Sequence, residues 1–284
     1  MSEDTIFPKT STLNLGGRLL NFSQTLVMGI VNYTPDSFFK DSRNQSIKDV
    51  IKSVEKMLTE NVDIIDLGSL SSRPDSEIIS ELEEGKRIES AVQEILKVFP
   101  NTVISIDTFR SNVAKIALDN GALLINDISG GKFDTNMFDT IAPYKVPIIL
   151  MHLRGTFETM HLPTHYANIP KEVCIELGTQ VELAKKAGIK DIIIDPGFGF
   201  SKDIAQNFNL LNDLNILCAL GLPVLAGLSR KSMIYKTLDI STEDALNGTS
   251  VLNTIALLQG SRILRVHDVK EAVEIRTLVE RMKG

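Results

Sequence analysis

Short runs of Val, Ile and Leu alternate along this chain with longer stretches in which apolar positions recur every three or four residues. A short apolar run bounded by turn residues is the pattern of a strand buried on both faces. The longer spacing is that of a helix with one apolar stripe and a charged outer face. Strands are predicted at 26–31, 62–67, 102–106, 123–125, 146–151, 191–194, 223–226 and 262–266. Helical spacing follows them, for example at 47–58, 78–98, 113–118 and 173–187. Asn120-Gly121 and Ala187-Gly188 stand where a helix must stop before the next strand, and glycine takes the left-handed cap conformation without steric cost. Eight strand–helix repeats point to parallel βαβ units closed into a (β/α)8 TIM barrel, and the count disfavours an open doubly wound sheet. Before the first of these strands, residues 12–22 alternate around Gly16-Gly17 and predict a small β-hairpin closing the bottom of the barrel.

Composition leaves that picture intact and narrows the partners. The 284 residues are 43% hydrophobic and 23% charged, which suits a single globular domain over 1–284 and excludes disordered, collagen-like and disulfide-framework chains. Thirty basic against 36 acidic residues give a net charge of −6, which argues against nucleic acid or an anionic membrane as a partner held by bulk charge. The two cysteines, Cys174 and Cys218, fall in helical segments without metal-ligand spacing and read as reduced core thiols. The opening MSEDTIFPKT has no basic, then apolar, leader pattern, and the longest apolar stretch, 216–228, is interrupted by Gly221 and Pro223. A cytoplasmic protein is expected.

The candidate chemistry lies at the C-terminal ends of the predicted strands, where barrel active sites are built. In chain order these ends carry Asn32, Asp66, Asp107, Asn126-Asp127, His152, Asp195, Ser229-Arg230-Lys231, and Arg265 with His267. Any single Asp or Asn there could be a helix or turn cap. The series is less easily explained so, because Asp66, Asp107 and Asp195 directly follow apolar runs, where a buried carboxylate needs a partner. Asp107, Asn126 and Asp195 offer acceptors for a flat heterocycle with several N–H donors, purine-like or pterin-like. Arg73, Lys231, Arg265 and His267 offer positive charge for a phosphate or diphosphate.

Three weaker motifs fall away. Gly197-Phe198-Gly199 lacks the third glycine of a dinucleotide loop, and Ser201-Lys202 occupies the wrong place. His152, His161 and His165 sit in an aperiodic loop without a zinc-ligand pattern. Ser229 and Ser232 have no GxSxG context.

The strings at these strand ends resemble the dihydropteroate synthase family. They read MGIVNYTPDSF at 28–38, DLGSLSSRP at 66–74, SIDTF at 105–109, INDISGG at 125–131, MHLRG at 151–155, DPGFGF at 195–200, GLSRKS at 227–232 and RVHDV at 265–269. The resemblance implies a (β/α)8 barrel that condenses 6-hydroxymethyl-7,8-dihydropterin diphosphate with 4-aminobenzoate by a dissociative route. It implies that Asp107, Asn126 and Asp195 hold the pterin edge, Lys231 reaches its carbonyl and Arg265 lies along its face, with Lys231, Arg265, Asp107 and Asp195 as the catalytic set. It further implies that Asn32, Arg73, Arg265 and His267 bind the diphosphate, with Mg²⁺ on Asn32. Phe38, Pro74 and Ser232 match positions around the aminobenzoate, and Ser72, Met151 and Phe200 complete the substrate-binding set. A homodimer is implied as well. The chain departs from the common pattern at Asp41, Ser42-Arg43, Ser69-Leu70 and Asp75. A pterin-dependent methyltransferase domain shares such a pocket but has no use for a diphosphate site, and a non-catalytic pterin-binding homologue is the other alternative.

Overall fold

A computed structural model describes residues 12–33, 46–70 and 79–283. The elements are β1 (Thr12–Leu15), β2 (Arg18–Asn21), β3 (Leu26–Asn32), α1 (Ile47–Thr59), β4 (Ile64–Gly68), α2 (Glu81–Val98), β5 (Ile104–Asp107), α3 (Ser111–Asp119) and β6 (Leu124–Asp127). They continue with α4 (Met137–Ile141), β7 (Ile148–Met151), α5 (Ile169–Lys186), β8 (Ile192–Asp195), α6 (Ile204–Asn212), β9 (Leu225–Ala226), α7 (Ser232–Leu238), α8 (Leu246–Leu258), β10 (Ile263–Val266) and α9 (Val269–Lys283).

Strands β3 to β10 form one parallel sheet in the order β8-β7-β6-β5-β4-β3-β10-β9. The ring closes between β8 and β9 through the parallel bridge Ile194–Val224 and the Ile194 N–H donating to Pro223 O at 3.0 Å. Strand β9 is only two residues long, because Pro223 has no N–H to donate to a ladder. All eight predicted strands are present within two residues at either end. The connection from β9 to β10 carries two helices, α7 and α8, and the helix after β6 is a five-residue turn.

Local signals set the helix ends. Ser46, Ser80 and Asn168 cap α1, α2 and α5 by accepting from the N–H groups of Asp49, Glu83 and Lys171. Asp203 and Gln206 form a reciprocal capping box on α6. Gly121 and Gly188 have φ of +101° and +99° just past α3 and α5, as the sequence pattern requires.

The hairpin β1–β2 turns at Gly16-Gly17 and lies across the N-terminal end of the barrel. Its Leu13 and Leu15, with Phe22, pack into one buried cluster with inward side chains from the starts of the barrel strands, Met28, Ile64, Leu124, Ile193 and Ile263 among them. A second cluster fills the layer between sheet and helices. One expectation is corrected: Cys174 and Cys218 are half-buried and pack against the core rather than within it, with their thiols directed at the carbonyls of Ile216 and Gly260. Among the described residues no helix is long and apolar enough to cross a membrane.

Candidate active site

Strand side chains alternate between the barrel interior and the helix layer, so one face of each strand is read every second residue. Along that inward face the chemistry changes with height. Ile64, Val103, Leu124, Ile193 and Ile263 pack against the hairpin, and the next inward positions are Asp66, Ser105, Asn126, Asp195 and Arg265. Asp107 stands one further step up β5, beside Gly68 and Asn126 in register. The apolar floor therefore carries a polar layer at the C-terminal mouth.

Asp66 organises that layer. It is fully buried, and its Oδ1 accepts from Ser105 Oγ at 2.7 Å while Oδ2 accepts from Asn126 Nδ2 at 3.0 Å and Arg265 Nε at 2.6 Å. Arg265 Nη2 donates to Asp107 Oδ2 at 2.6 Å. The guanidinium thus spans β10 to β4 and β5 and meets two carboxylates. Burial works against its charge, but Asp66 and Asp107 outweigh that and hold its pKa above the ordinary value. Asp107 is pushed up by burial and by the nearby Asp66 and Glu84 charges, against the pull of Arg265. Asp195 is also raised by burial, opposed by Lys231 and by the Gly197 N–H, which donates to its Oδ1 at 2.7 Å.

Lys231 ends the β9 connection as the N-cap of α7, and Ser232 opens that helix. Its ammonium donates to the Phe198 carbonyl and lies 4.6 Å from the Phe200 ring centroid. Burial lowers its pKa to about 8, with Asp195 opposing. His267 lies across from the same connection, its Nδ1 3.1 Å from Ser229 Oγ, and its backbone N–H donates to that oxygen. Met151 and Phe200 belong to an apolar cluster at the mouth with Ile128, Leu153, Met160 and the rings of Phe109, Phe133 and Phe157. Asn32, half-buried at the end of β3, shares the inward parity of Leu26 and Met28.

The structure therefore brings together Asp107, Asn126, Met151, Asp195, Phe200, Lys231 and Arg265, with Asn32, Ser232 and His267 on the neighbouring strand ends. The expectations for Phe38, Asp41, Ser72, Arg73 and Pro74 lie outside the described residues. Two features differ from the sequence reading. Asn126 and Asp107 are already tied into the polar layer, Asn126 by donating its Nδ2 hydrogen to Asp66 and Asp107 by accepting from Arg265 at Oδ2, and the positive charge of Arg265 is already matched by carboxylates. Arg230, in the same string as Lys231, faces away from this chemistry: it makes a two-pronged ion pair with Asp268 and donates to the carbonyls of Thr242 and Glu243.

Asp66 is legible as a strand-end carboxylate, but nothing local shows that it gathers three partners from three strands. Lys202 is the residue that sequence reasoning passes over. It is 5% exposed and touches His152 and the loop that carries Phe200. Its immediate neighbours Ser201 and Asp203 give no sign of burial. His152 is also buried, with its ring pushed to about pKa 4 by desolvation, and it contacts Glu176. Among the described residues no group of three or more His, Cys, Asp or Glu is placed to hold a metal ion.

The profile of the family described as pterin binding enzyme matches residues 28–267. The chain is 44% identical over 259 residues to the folic acid synthesis protein fol1 of Pneumocystis carinii, covering 88% of this chain but only 35% of that longer protein. It is 39% identical over 263 residues to the dihydropteroate synthase of Clostridium beijerinckii, covering 91% of this chain and 95% of that one. Among solved structures, the Xanthomonas albilineans dihydropteroate synthase with 4-aminobenzoic acid superposes with a TM-score of 0.88 at 33% identity, over 96% of this chain and 98% of the other. Matches of this extent, on a barrel whose mouth carries the acceptors and cations described above, place the chain in the dihydropteroate synthase family of pterin-binding transferases, which act in folate biosynthesis.

Proposed function

We propose that the mouth of this barrel joins 6-hydroxymethyl-7,8-dihydropterin diphosphate to 4-aminobenzoate, with the residues in the following roles. The observation that carries this reading is the convergence of Asp107, Asn126 and Asp195 with Arg265 and Lys231 inside one ring of strands. A pterin edge has several N–H donors. Carboxylates whose charge is penalised by burial gain most from such donors, and Asp107 and Asp195 are both in that condition. Lys231 donates to the ring carbonyl, exchanging its contact with Phe198 for the ligand. Arg265, fixed in plane by two carboxylates, offers its flat face for stacking.

The C–O bond to diphosphate breaks, the methylene carbon becomes cationic, and the aminobenzoate nitrogen bonds to it with loss of one amine proton. Asp107 and Asp195 favour the positive charge that develops on the pterin. His267 and Arg73 stabilise the departing anion. Ser232 and the neighbouring mouth residues, with Phe38 and Pro74, receive the aminobenzoate; a solved relative is described with 4-aminobenzoic acid. Asn32 would offer Mg²⁺ one amide oxygen, and among the described residues no group of three or more His, Cys, Asp or Glu is placed to hold it. Mg²⁺, when bound, supplies charge neutralisation for the diphosphate.

A homodimer and a cytoplasmic setting belong to the same reading. Helix α8 leaves Val251 and Leu258, seven residues apart on one face, more than half exposed, and Leu238 at the end of α7 is exposed too. Cys174 and Cys218 are not joined in a disulfide, which fits a reducing compartment.

Diphosphate release from the two substrates tests the reaction and separates it from methyl transfer and from binding alone. Lys231→Ala and Arg265→Ala should each remove most turnover. Release near the unmodified rate in either variant overturns the roles assigned to Lys231 and Arg265.

A further inference from the structure

The loop from Pro196 to Ser201 holds both contacts of Lys231, the Phe198 carbonyl and the Phe200 ring. Its own placement is set by a second, buried lysine. Lys202 Nζ lies 3.0 Å from Gly197 O, 3.0 Å from Phe200 O and 3.1 Å from His152 Nδ1. An ammonium has three protons, and three acceptors surround this one. The lysine thus closes the loop from below, joining its first glycine to its last aromatic residue.

The third acceptor anchors the loop to its neighbour strand. A protonated Lys202 requires Nδ1 of His152 to be unprotonated, so the other nitrogen, Nε2, carries the hydrogen and donates to Glu176 Oε2 at 3.2 Å. Burial holds that imidazole neutral, as an acceptor must be. Glu176 is fixed in turn by Arg154, which also pairs with Glu172 and lies over the Tyr166 ring. A chain of contacts therefore runs from α5 through His152 at the end of β7 to Lys202, and from there to the β8 loop.

The rest of the loop has equally few free groups. Gly197 N–H donates to Asp195, Gly199 N–H donates to Asn207 Oδ1 at 2.8 Å, and Phe200 N–H donates to Gly197 O at 3.2 Å. Gly197 has φ of +68° and sits so close to the His152 carbonyl that a Cβ would lie 2.1 Å from that oxygen. The two loops are in backbone contact, so a shift of one moves the other.

We propose that Lys202 is a positioning residue for the reaction: by fixing the Gly197 and Phe200 carbonyls it sets the Phe198 carbonyl and Phe200 ring between which Lys231 is held. One lysine grips the loop from the buried side, and the other rests on it from the substrate side. This inference rests on the reading of Lys231 as a pterin contact, and a double-mutant cycle separates the two.

Affinity for 6-hydroxymethyl-7,8-dihydropterin diphosphate is measured by calorimetry for the unmodified chain, Lys202→Met, Lys231→Met and the double variant, with thermal unfolding followed in all four. Lys202→Met should weaken binding at least tenfold when Lys231 is present and less than threefold in the Lys231→Met background, while the unfolding midpoint falls equally in both. Equal weakening in the two backgrounds overturns the positioning role and leaves the reading of Lys231 standing. Unchanged affinity in Lys231→Met alone overturns both. Should Lys202→Met not fold, Lys202→Gln, which keeps two of the donors, enters the same cycle with the same criteria.

Discussion

Among single residues, the site works by placing charges where water solvates them poorly. Lys231 shows the consequence for pH. Burial lowers its pKa to about 8, so its ammonium is present below that pH and is lost as pH rises through it. The kcat/KM for the pterin diphosphate, which reports groups of the free enzyme, should therefore decline above about pH 8. In Lys231→Arg the guanidinium stays protonated, so the decline should move to higher pH on a lower plateau. A pH–rate profile of both proteins checks this, and a decline at the same pH in the variant assigns the titration to another group. Arg265 sits differently. Its partners Asp66 and Asp107 neutralise it before substrate arrives, which fits an orienting plane better than a free anion receptor.

Strands and helices divide the labour, with stability and chemistry at opposite ends of the same strands. Leu13 and Leu15 of the hairpin close the N-terminal end, and the polar layer opens at the C-terminal end. Leu15 is 1% exposed, and truncating a buried leucine costs about 2–5 kcal/mol in lost burial and cavity formation. Leu15→Ala should lower stability in urea by that amount while kcat and both KM values stay within about twofold. A large change in KM would mean that the bottom plug sets the geometry of the mouth. The hairpin, the eight strands and the helix stops at Gly121 and Gly188 are all legible in sequence, because each depends on neighbours within a few positions. The second helix between β9 and β10 is not separable there, since 232–258 has apolar residues on several faces and only a short turn between its two parts.

For the assembled protein, the outer surface of α8 bears on association. Val251 and Leu258 present apolar surface that a monomer leaves in water. Sedimentation equilibrium should give twice the 31.3 kDa chain mass. Val251→Glu with Leu258→Glu should shift the population to monomer, since a charge on each copy opposes a buried contact. A monomer at all concentrations in the unmodified chain overturns the dimer.

Local pattern is enough to specify the barrel, its hairpin, and which residues stand at the strand ends. Short apolar runs and glycine stops act over short distances, so they survive in a one-dimensional reading. The same pattern marks Asp107, Asn126, Asp195, Lys231 and Arg265, because a polar side chain at the end of an apolar run is conspicuous. How these groups distribute their hydrogen bonds emerges only in the folded chain. Asp66 meets Ser105, Asn126 and Arg265 from 39, 60 and 199 positions away, and no local pattern encodes that meeting. Lys202 reaches His152 across 50 positions. Burial of a charge depends on what the rest of the chain packs around it, and that is settled only when the ring of strands closes.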